Sequence, residues 1–460
     1  MVNPRLSRIT LVTFMVLALS ACSGLTSHPD RADRHAQAVA LPVSWQETLP
    51  LSQTPLSDQL LDLIDSPSLT QIVRQTLAAN YDLRQTAIRL QEQQLLARQM
   101  DAARKPELNL NLNSQRAKGS TIANTQTLSL DLSWEVDVWG RLADQSRATE
   151  ATTQAQALDY QAAKNSLAAR TIQRWIDISL RAQIIRAEQQ WVTSLQSTEE
   201  VITERYRNGL SGSNGLADLE TARAATARIR ASLAAREQSQ RDAYRQLAAL
   251  QGIAGQVDLP NPQLPPDIEN PPLRLPAEMI AHRPDLQSAY QQILAADAQA
   301  AVAQKQLLPS FSFNASLSQA RPDLNDLLSG SSAWSLLGRL TAPLFNAGRL
   351  KAGAEIAELQ AERSYLAYQQ TLLNALNEVE ASLGQEAALA QQQLHLKAAL
   401  QHSEASLAHY QARYRDGLNT ILDLLNAKQS AFDARIQLLQ TQQARLTNRI
   451  TLGLALGMGV

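Results

Sequence analysis

Residues Leu128-Ser129-Leu130-Asp131-Leu132-Ser133-Trp134-Glu135-Val136-Asp137-Val138 alternate apolar and polar side chains without a break. Successive side chains of an extended strand point to opposite faces, so this strand has one apolar and one polar face. Just upstream, Leu108, Leu110 and Leu112 alternate with Asn109, Asn111 and Asn113. The pattern returns in Phe311, Phe313, Ala315 and Leu317, and again in Trp334, Leu336, Leu340, Ala342 and Leu344. A strict period of two is expected where one face meets an apolar phase and the other meets water. Polar loops, Arg116 to Thr127 and Gln319 to Ser332, join the strands of each pair.

The two strand pairs belong to a duplicated unit. Asn80-Tyr81-Asp82-Leu83 matches Arg283-Pro284-Asp285-Leu286, and Pro106 matches Pro309, both at a spacing of 203. Gly140-Arg141-Leu142 matches Gly348-Arg349-Leu350 at a spacing of 208, as Arg205-Tyr206-Arg207-Asn208-Gly209-Leu210 matches Arg413-Tyr414-Arg415-Asp416-Gly417-Leu418. Such self-similarity governs how every local pattern is read. Each copy predicts a helix, two strands, a very long helix, a turn and another long helix. The first helix is expected from about Ser68 to Arg104, ending before Pro106, and its counterpart from near Pro284 to before Pro309.

From Arg141 to Asn208 there is neither glycine nor proline. One helix of about 67 residues fits there, roughly 100 Å long at ~1.5 Å per residue. No ordinary domain core needs that length. A second helix is expected back toward Gly252, and copy two repeats the pair over Arg349 to Arg415 and Ile421 to Leu456, with at most local bending at Gly353 and Gly384. Ala296, Ala300 and Ala303 share one helix face, where a neighbouring helix can approach closely.

The N-terminus supplies an address. Arg5 and Arg8 precede the apolar run Ile9 to Leu19, too short to span a bilayer, and the pattern is that of a signal peptide. The run ends in Leu19-Ser20-Ala21-Cys22, which resembles the bacterial lipobox and implies lipidation at Cys22; a chance cysteine after an ordinary signal is the alternative. Cys22 is the single cysteine of the 460 residues, so neither an internal disulfide framework nor a cysteine metal cluster is available.

Aromatics make up 4% and charged residues 18%, with a formal net charge of −1. That balance suits long packed helices rather than several thick cores, and indicates neither a nucleic-acid partner nor broad attraction to anionic lipid. No later stretch is apolar for the ~20 residues of a membrane helix. A membrane-crossing mature chain would therefore cross as β-strands. A pair of hairpins packed on a helical core is the plain alternative. Against it stand the export signal, Trp134 and Trp139 at one strand end, and an alternation of about ten residues, the length of a tilted membrane strand. Four strands cannot close around a pore, whereas three subunits supply twelve and leave no edge exposed to lipid.

The expected organisation is a signal peptide over 1–21, a lipidated extended segment over 22–67, and a first repeat over 68–258 with strands at about 106–116 and 126–139. A proline-rich connector follows over 259–276, then a second repeat over 277–460 with strands at about 309–319 and 333–346.

Lipobox, duplicated units, Ser133-Trp134-Glu135-Val136-Asp137-Val138-Trp139-Gly140-Arg141-Leu142 and the paired Tyr-Arg-X-Gly turns together resemble the TolC-type outer-membrane factors, particularly their lipoprotein efflux branch. The resemblance covers nearly all of the mature chain. It implies a mainly α protein with a membrane β-hairpin pair, forming a homotrimer whose 12-stranded β-barrel continues into a long α-helical barrel. It implies a passive conduit in the outer membrane that exports small molecules, working with a periplasmic adaptor and an inner-membrane efflux pump. No catalysis, cofactor or metal is implied. It also implies a periplasmic gate in which Tyr414 bonds Asp218 of the neighbouring hairpin, Leu422 forms an apolar constriction and Asp423 an acidic ring. Asn426 and Asn419 stand where relatives carry a second aspartate and an arginine.

Three other readings compete. His395, His402 and His409 recur every seven residues and share a helix face, but successive members lie about 10.5 Å apart along the axis, too far to hold one ion. They form a structural stripe, or in a trimer three rings. An enzyme would show a phosphate loop, a nucleophile elbow or a metal-spaced His/Glu pair, and none is present. A lipid-anchored coiled-coil scaffold or adaptor would have no need of two one-face-apolar hairpins. A channel for protein secretion stays open within the same family.

Overall fold

Backbone hydrogen bonds join four strands into one antiparallel sheet in the order β1-β2-β3-β4: β1 Glu107–Lys118, β2 Ile122–Val136, β3 Ser310–Arg321 and β4 Ala333–Thr341. The register keeps the apolar sets together. Leu108, Leu110 and Leu112 pair with Leu132, Leu130 and Leu128, while Leu130, Leu132, Trp134 and Val136 pair with Leu317, Ala315, Phe313 and Phe311. Leu336 and Leu340 extend the face through Ala315 and Phe311. A slip of one residue would turn every one of these side chains over, so the pattern itself fixes the pairing. β4 ends at Thr341, short of position 346, because Pro343 has no N–H to give a ladder.

The computed structural model describes residues 41–46, 59–64, 66–120, 122–209, 215–257, 263, 265, 271, 273, 275–327, 329 and 331–460. The signal peptide, Cys22 and most of the proline-rich connector lie outside the described residues. From Pro42 onward the chain forms one contiguous unit.

The helices of the first copy are α1 Pro67–Ala79, α2 Tyr81–Ala102, α3 Arg141–Arg207 and α4 Gly215–Leu250. Those of the second are α5 Pro276–His282, α6 Pro284–Lys305, α7 Arg349–Arg415 and α8 Ile421–Ala455. The long helices α3 and α7 each have 67 residues, and neither Gly353 nor Gly384 interrupts α7. No helix among the described residues is long and apolar enough to cross a membrane.

The helix expected over Ser68 to Arg104 is instead two. Asn80 adopts an extended backbone (φ −61°, ψ 125°), and its side chain accepts from the Leu83 N–H at 2.9 Å, capping α2. The short helix α5, ahead of the start expected near Pro284, is the counterpart of α1.

Each strand-to-helix corner is built by its sequence. Asp137 accepts from the N–H groups of Leu142 and Ala143 at 3.0 and 2.8 Å, satisfying the open donors at the start of α3. Gly140, at φ 71°, makes the left-handed step between them, as Gly348 does at φ 83° before α7. Arg141 holds Glu135 with two bonds of 2.7 and 2.9 Å, and Trp139 donates from Nε1 to the Pro309 carbonyl at 2.6 Å. The corner thus ties the first hairpin to the start of the second.

Helix packing uses small residues and buried ion pairs. Ala148, Ala151 and Ala155 of α3, and Ala354, Ala357 and Ala361 of α7, are buried at spacings of three and four, one face of each helix. An extensive apolar cluster lies where α1, α3, α4 and α8 converge, around Leu69, Ile172, Ile176, Leu247, Leu446 and Ile450. Buried carboxylates then pin helix to helix. Glu386 of α7 receives Arg445 and Arg449 of α8 at 2.8 and 2.9 Å, Glu188 of α3 receives Arg236 of α4 at 2.9 Å, and Asp144 of α3 meets Lys305 of α6 at 2.6 Å.

Candidate channel surfaces and gate

The two faces of the sheet differ in chemistry. Its apolar face is open: Leu110 is 71% and Trp334 74% exposed, and Leu108, Leu112, Leu317, Leu336 and Leu340 are all exposed with them. On its polar face Ser129 is only 9% exposed, while Ser133 and the polar residues of β1 and β4 stand open. There the Asp131 carboxylate accepts from Asn111 of β1 at 2.8 Å, from Ser129 at 2.6 Å and from Ser316 of β3 at 2.6 Å. One acid therefore stitches three strands together across the polar side. An apolar patch spanning four strands is far more than a water-exposed monomer carries, and it suits a surface in contact with hydrocarbon. β1 and β4 stand at the sheet edges, with one side of each unpaired among the described residues. In lipid such edges must be closed by another chain.

At the opposite end of the long helices lie the residues expected to form the gate. After α7 the Tyr-Arg-X-Gly sequence makes a left-handed turn: Gly417, at φ 73°, donates to Tyr414 O at 3.2 Å and Leu418 to Arg413 O at 2.8 Å, the capping pattern of a helix C-terminus. Tyr414 is half-buried against the cluster of Ile202, Leu219, Ala222, Ile421 and Leu424. The guanidinium of Arg205, from the first hairpin, lies over its ring at 5.3 Å. Burial pushes the Tyr414 hydroxyl up from its ordinary pKa, with Arg205 opposing and the Asp218 charge adding to the rise. The structure thus brings Tyr414 and Asp218 within electrostatic reach, while the contact made by the ring is with Arg205, which sequence reasoning missed.

Asp423 is the third residue of a capping box. Its carboxylate accepts from the Thr420 N–H at 3.0 Å and hydroxyl at 2.7 Å, while the Thr420 hydroxyl accepts from the Asp423 N–H at 3.2 Å. The Thr420 hydroxyl and N–H hold the Asp423 carboxyl below its ordinary range. Leu422 is exposed, as is Asn426 one turn further on. Asn419 accepts from Arg413 Nε at 2.7 Å, bracing the turn. His395, His402 and His409 all lie on exposed positions of α7, and no metal-holding cluster occurs among the described residues.

The family model for outer membrane efflux proteins matches this chain twice, over residues 72–253 and 275–458. The chain belongs to the outer membrane efflux protein family. Among relatives, the cation efflux system protein CusC of Escherichia coli K12 is 30% identical over 408 residues, covering 84% of this chain and 86% of CusC. A crystal structure of CusC superposes with a TM-score of 0.81 at 26% identity, covering 92% of this chain and 98% of that one. The open state of the MtrE outer membrane channel of Neisseria gonorrhoeae shares the fold, with a TM-score of 0.83 at 23% identity over 92% of this chain and 97% of MtrE. Both halves of the efflux family unit are therefore present, and the duplicated α-barrel and β-hairpin architecture is that of outer-membrane channels. The protein is an outer-membrane efflux channel subunit, with a transport role.

Proposed function

We propose that three copies of this chain close into a conduit that receives small toxic molecules from an inner-membrane pump through a periplasmic adaptor and releases them outside. The observation that carries this reading is the four-stranded sheet with an open apolar face, a polar face stitched together by Asp131, and two edge strands. When β1 of one copy pairs with β4 of the next, twelve strands close with the apolar face toward lipid. Below the membrane, exposed leucines mark the matching lateral seams: Leu95 on α2, and Leu359, Leu366 and Leu373 on α7 at spacings of seven. The helices then continue the barrel for about 100 Å into the periplasm.

In this reading Cys22 carries acyl chains that add a second attachment to the outer membrane. Tyr414, Asp218, Leu422, Asp423 and Asn426 form the periplasmic gate, with Arg205 as a further partner of Tyr414. Their convergence where the two hairpins turn supports the assignment. Energy comes from the pump. Cargo selection is made upstream, and the 30% identity to a cation efflux protein makes metal ions one class to test beside drugs and solvents. Deletion of the gene should sensitise cells to at least one small-molecule class, with rescue by the intact gene. A deletion strain unchanged for drugs and metals but defective in releasing a protein would move the cargo to secretion.

A further inference from the structure

Near the turn, α3, α7 and α8 line an open cavity of about 270 Å³. It is lined by Ser194, Ser197, Thr198, Val201 and Arg205 from α3, Gln411, Tyr414 and Arg415 from α7, and Leu424 and Lys428 from α8. Lys428 is only 7% exposed. Its ammonium donates to Ser194 O at 3.2 Å, Ser194 Oγ at 2.9 Å and Thr198 Oγ1 at 2.8 Å, three neutral oxygens. Every other deeply buried charge described above faces an opposite charge. Here the walls hold three cations, Lys428, Arg205 and Arg415, and no carboxylate.

Burying an ammonium is costly unless an opposite charge accompanies it, and three cations around one cavity add mutual repulsion. Loss of water around Lys428 lowers its pKa, in keeping with a charge that lacks a counterion. The geometry points to a binding site for a small oxyanion, phosphate or sulfate in type, held by the Arg205 and Arg415 guanidiniums and the Ser197 hydroxyl, while the Lys428 ammonium, whose three N–H groups are taken by Ser194 and Thr198, adds its charge. Guanidinium and ammonium groups are the side chains that recognise tetrahedral oxyanions, the first in a fork and the second as a point charge. The cavity is smaller than the ~300–1,000 Å³ typical of sites for drug-sized ligands, so it suits a compact anion rather than transported cargo. Because α3 belongs to the first hairpin and α7 and α8 to the second, an anion held there links the two.

Calorimetry of inorganic phosphate with the purified full-length channel in detergent, in chloride-free buffer, tests the site. The expected result is saturable binding at one site per subunit, with sulfate competing. Lys428→Met, which keeps the stem and removes the charge, should weaken binding tenfold or more. Arg415→Gln, at an exposed position, should weaken it severalfold. Absence of saturable binding by the parent overturns the site, as does undiminished binding by assembled Lys428→Met. Should Lys428→Met fail to assemble, undiminished binding by Arg415→Gln overturns it. The readout is independent of conduction, so it stands or falls apart from the gate.

Discussion

Asn80 and Arg283 occupy equivalent positions of the two repeats and perform the same task with different chemistry. Asn80 Nδ2 donates to the Leu250 carbonyl at 2.8 Å, and Arg283 Nη1 to the Ala455 carbonyl at 3.1 Å. Each residue sits at the break between two short helices and ties that break to the end of the last helix in its own copy. The chain passes close by: a Cβ on Gly252 would lie 3.1 Å from the Ala79 carbonyl oxygen, and one on Gly457 within 2.9 Å of the His282 backbone. Both glycines also have positive φ, at 67° and 85°, so a side chain is disfavoured twice over at each.

The two anchors should fail differently. Asn80→Ala removes a cap and should cost about 0.5–2 kcal/mol, with no pH dependence. Arg283 also holds Asp285 at 2.7 Å and Glu378 at 2.8 Å, so Arg283→Met strands two carboxylates. Both are more than a third exposed, which places the cost at or below the lower end of the ~3–5 kcal/mol seen for broken buried pairs. For Asp285 burial pushes the pKa up, but the Arg283 bond and charge prevail and hold it below the ordinary carboxylate range. A depressed folded pKa gives stability that is full above about pH 4 and is lost as pH falls through the folded value. Thermal dissociation followed from pH 7 downward should show this acid loss in the parent and a smaller one in Arg283→Met.

Glu386 is 2% exposed between Arg445 and Arg449, so its removal takes a buried carboxylate from two guanidiniums at once. Glu386→Ala should destabilise by about 3–5 kcal/mol. Replacement of both arginines together with Glu386 by apolar residues should recover much of that loss. A fall in heat-dissociation temperature for the single change, with partial recovery in the triple change, is the expected pattern.

Strand facing gives a paired test. Leu132 pairs with Leu108 and Ala315 on the open apolar face, whereas Ser133 lies on the face of Asp131. Leu132→Arg should cost about 2–4 kcal/mol if it lies near the bilayer midplane, and Ser133→Arg should be tolerated. Equal loss of folded barrel in both variants would contradict the orientation of the sheet.

The gate predicts a rise in current. Tyr414→Phe combined with Asp218→Ala should raise single-channel conductance in planar bilayers above the parent, because contacts at the hairpin turns are lost together. Arg205→Gln, which removes the cation over the Tyr414 ring, should act in the same direction by a smaller step, such contacts contributing roughly 0.5–1 kcal/mol at exposed sites. Asp423→Asn should lower cation selectivity and weaken the start of α8, since the same carboxylate accepts both Thr420 donors. Unchanged conductance in assembled double variants would remove these residues from the gate.

How much of this the sequence disclosed follows from the range of each interaction. The strand faces rest on a period of two within single segments, and Leu108, Leu130 and Phe311 appear on the same sheet face because register follows from that period. The 67-residue helices follow from an absence of breakers. The break at Asn80 escaped notice because apolar residues run on through it. The bond that anchors it, to the Leu250 carbonyl, comes from 170 residues away. Lys428 likewise looks like any helical lysine until α3 delivers Ser194 and Thr198, 234 and 230 residues distant. Asp423 and Thr420 carried a legible capping signature, which resemblance to a gate overshadowed.

The central claim is that the two unpaired sheet edges are closed by further copies of this chain. Native mass spectrometry of the protein extracted from outer membranes in mild detergent tests it most directly. The account predicts a complex of three chains of 50.4 kDa, plus any acyl chains on the mature protein less its signal peptide, collapsing to single chains on heating. A species of one chain under conditions that preserve other outer-membrane barrels would contradict it, because β1 and β4 would then face lipid unpaired.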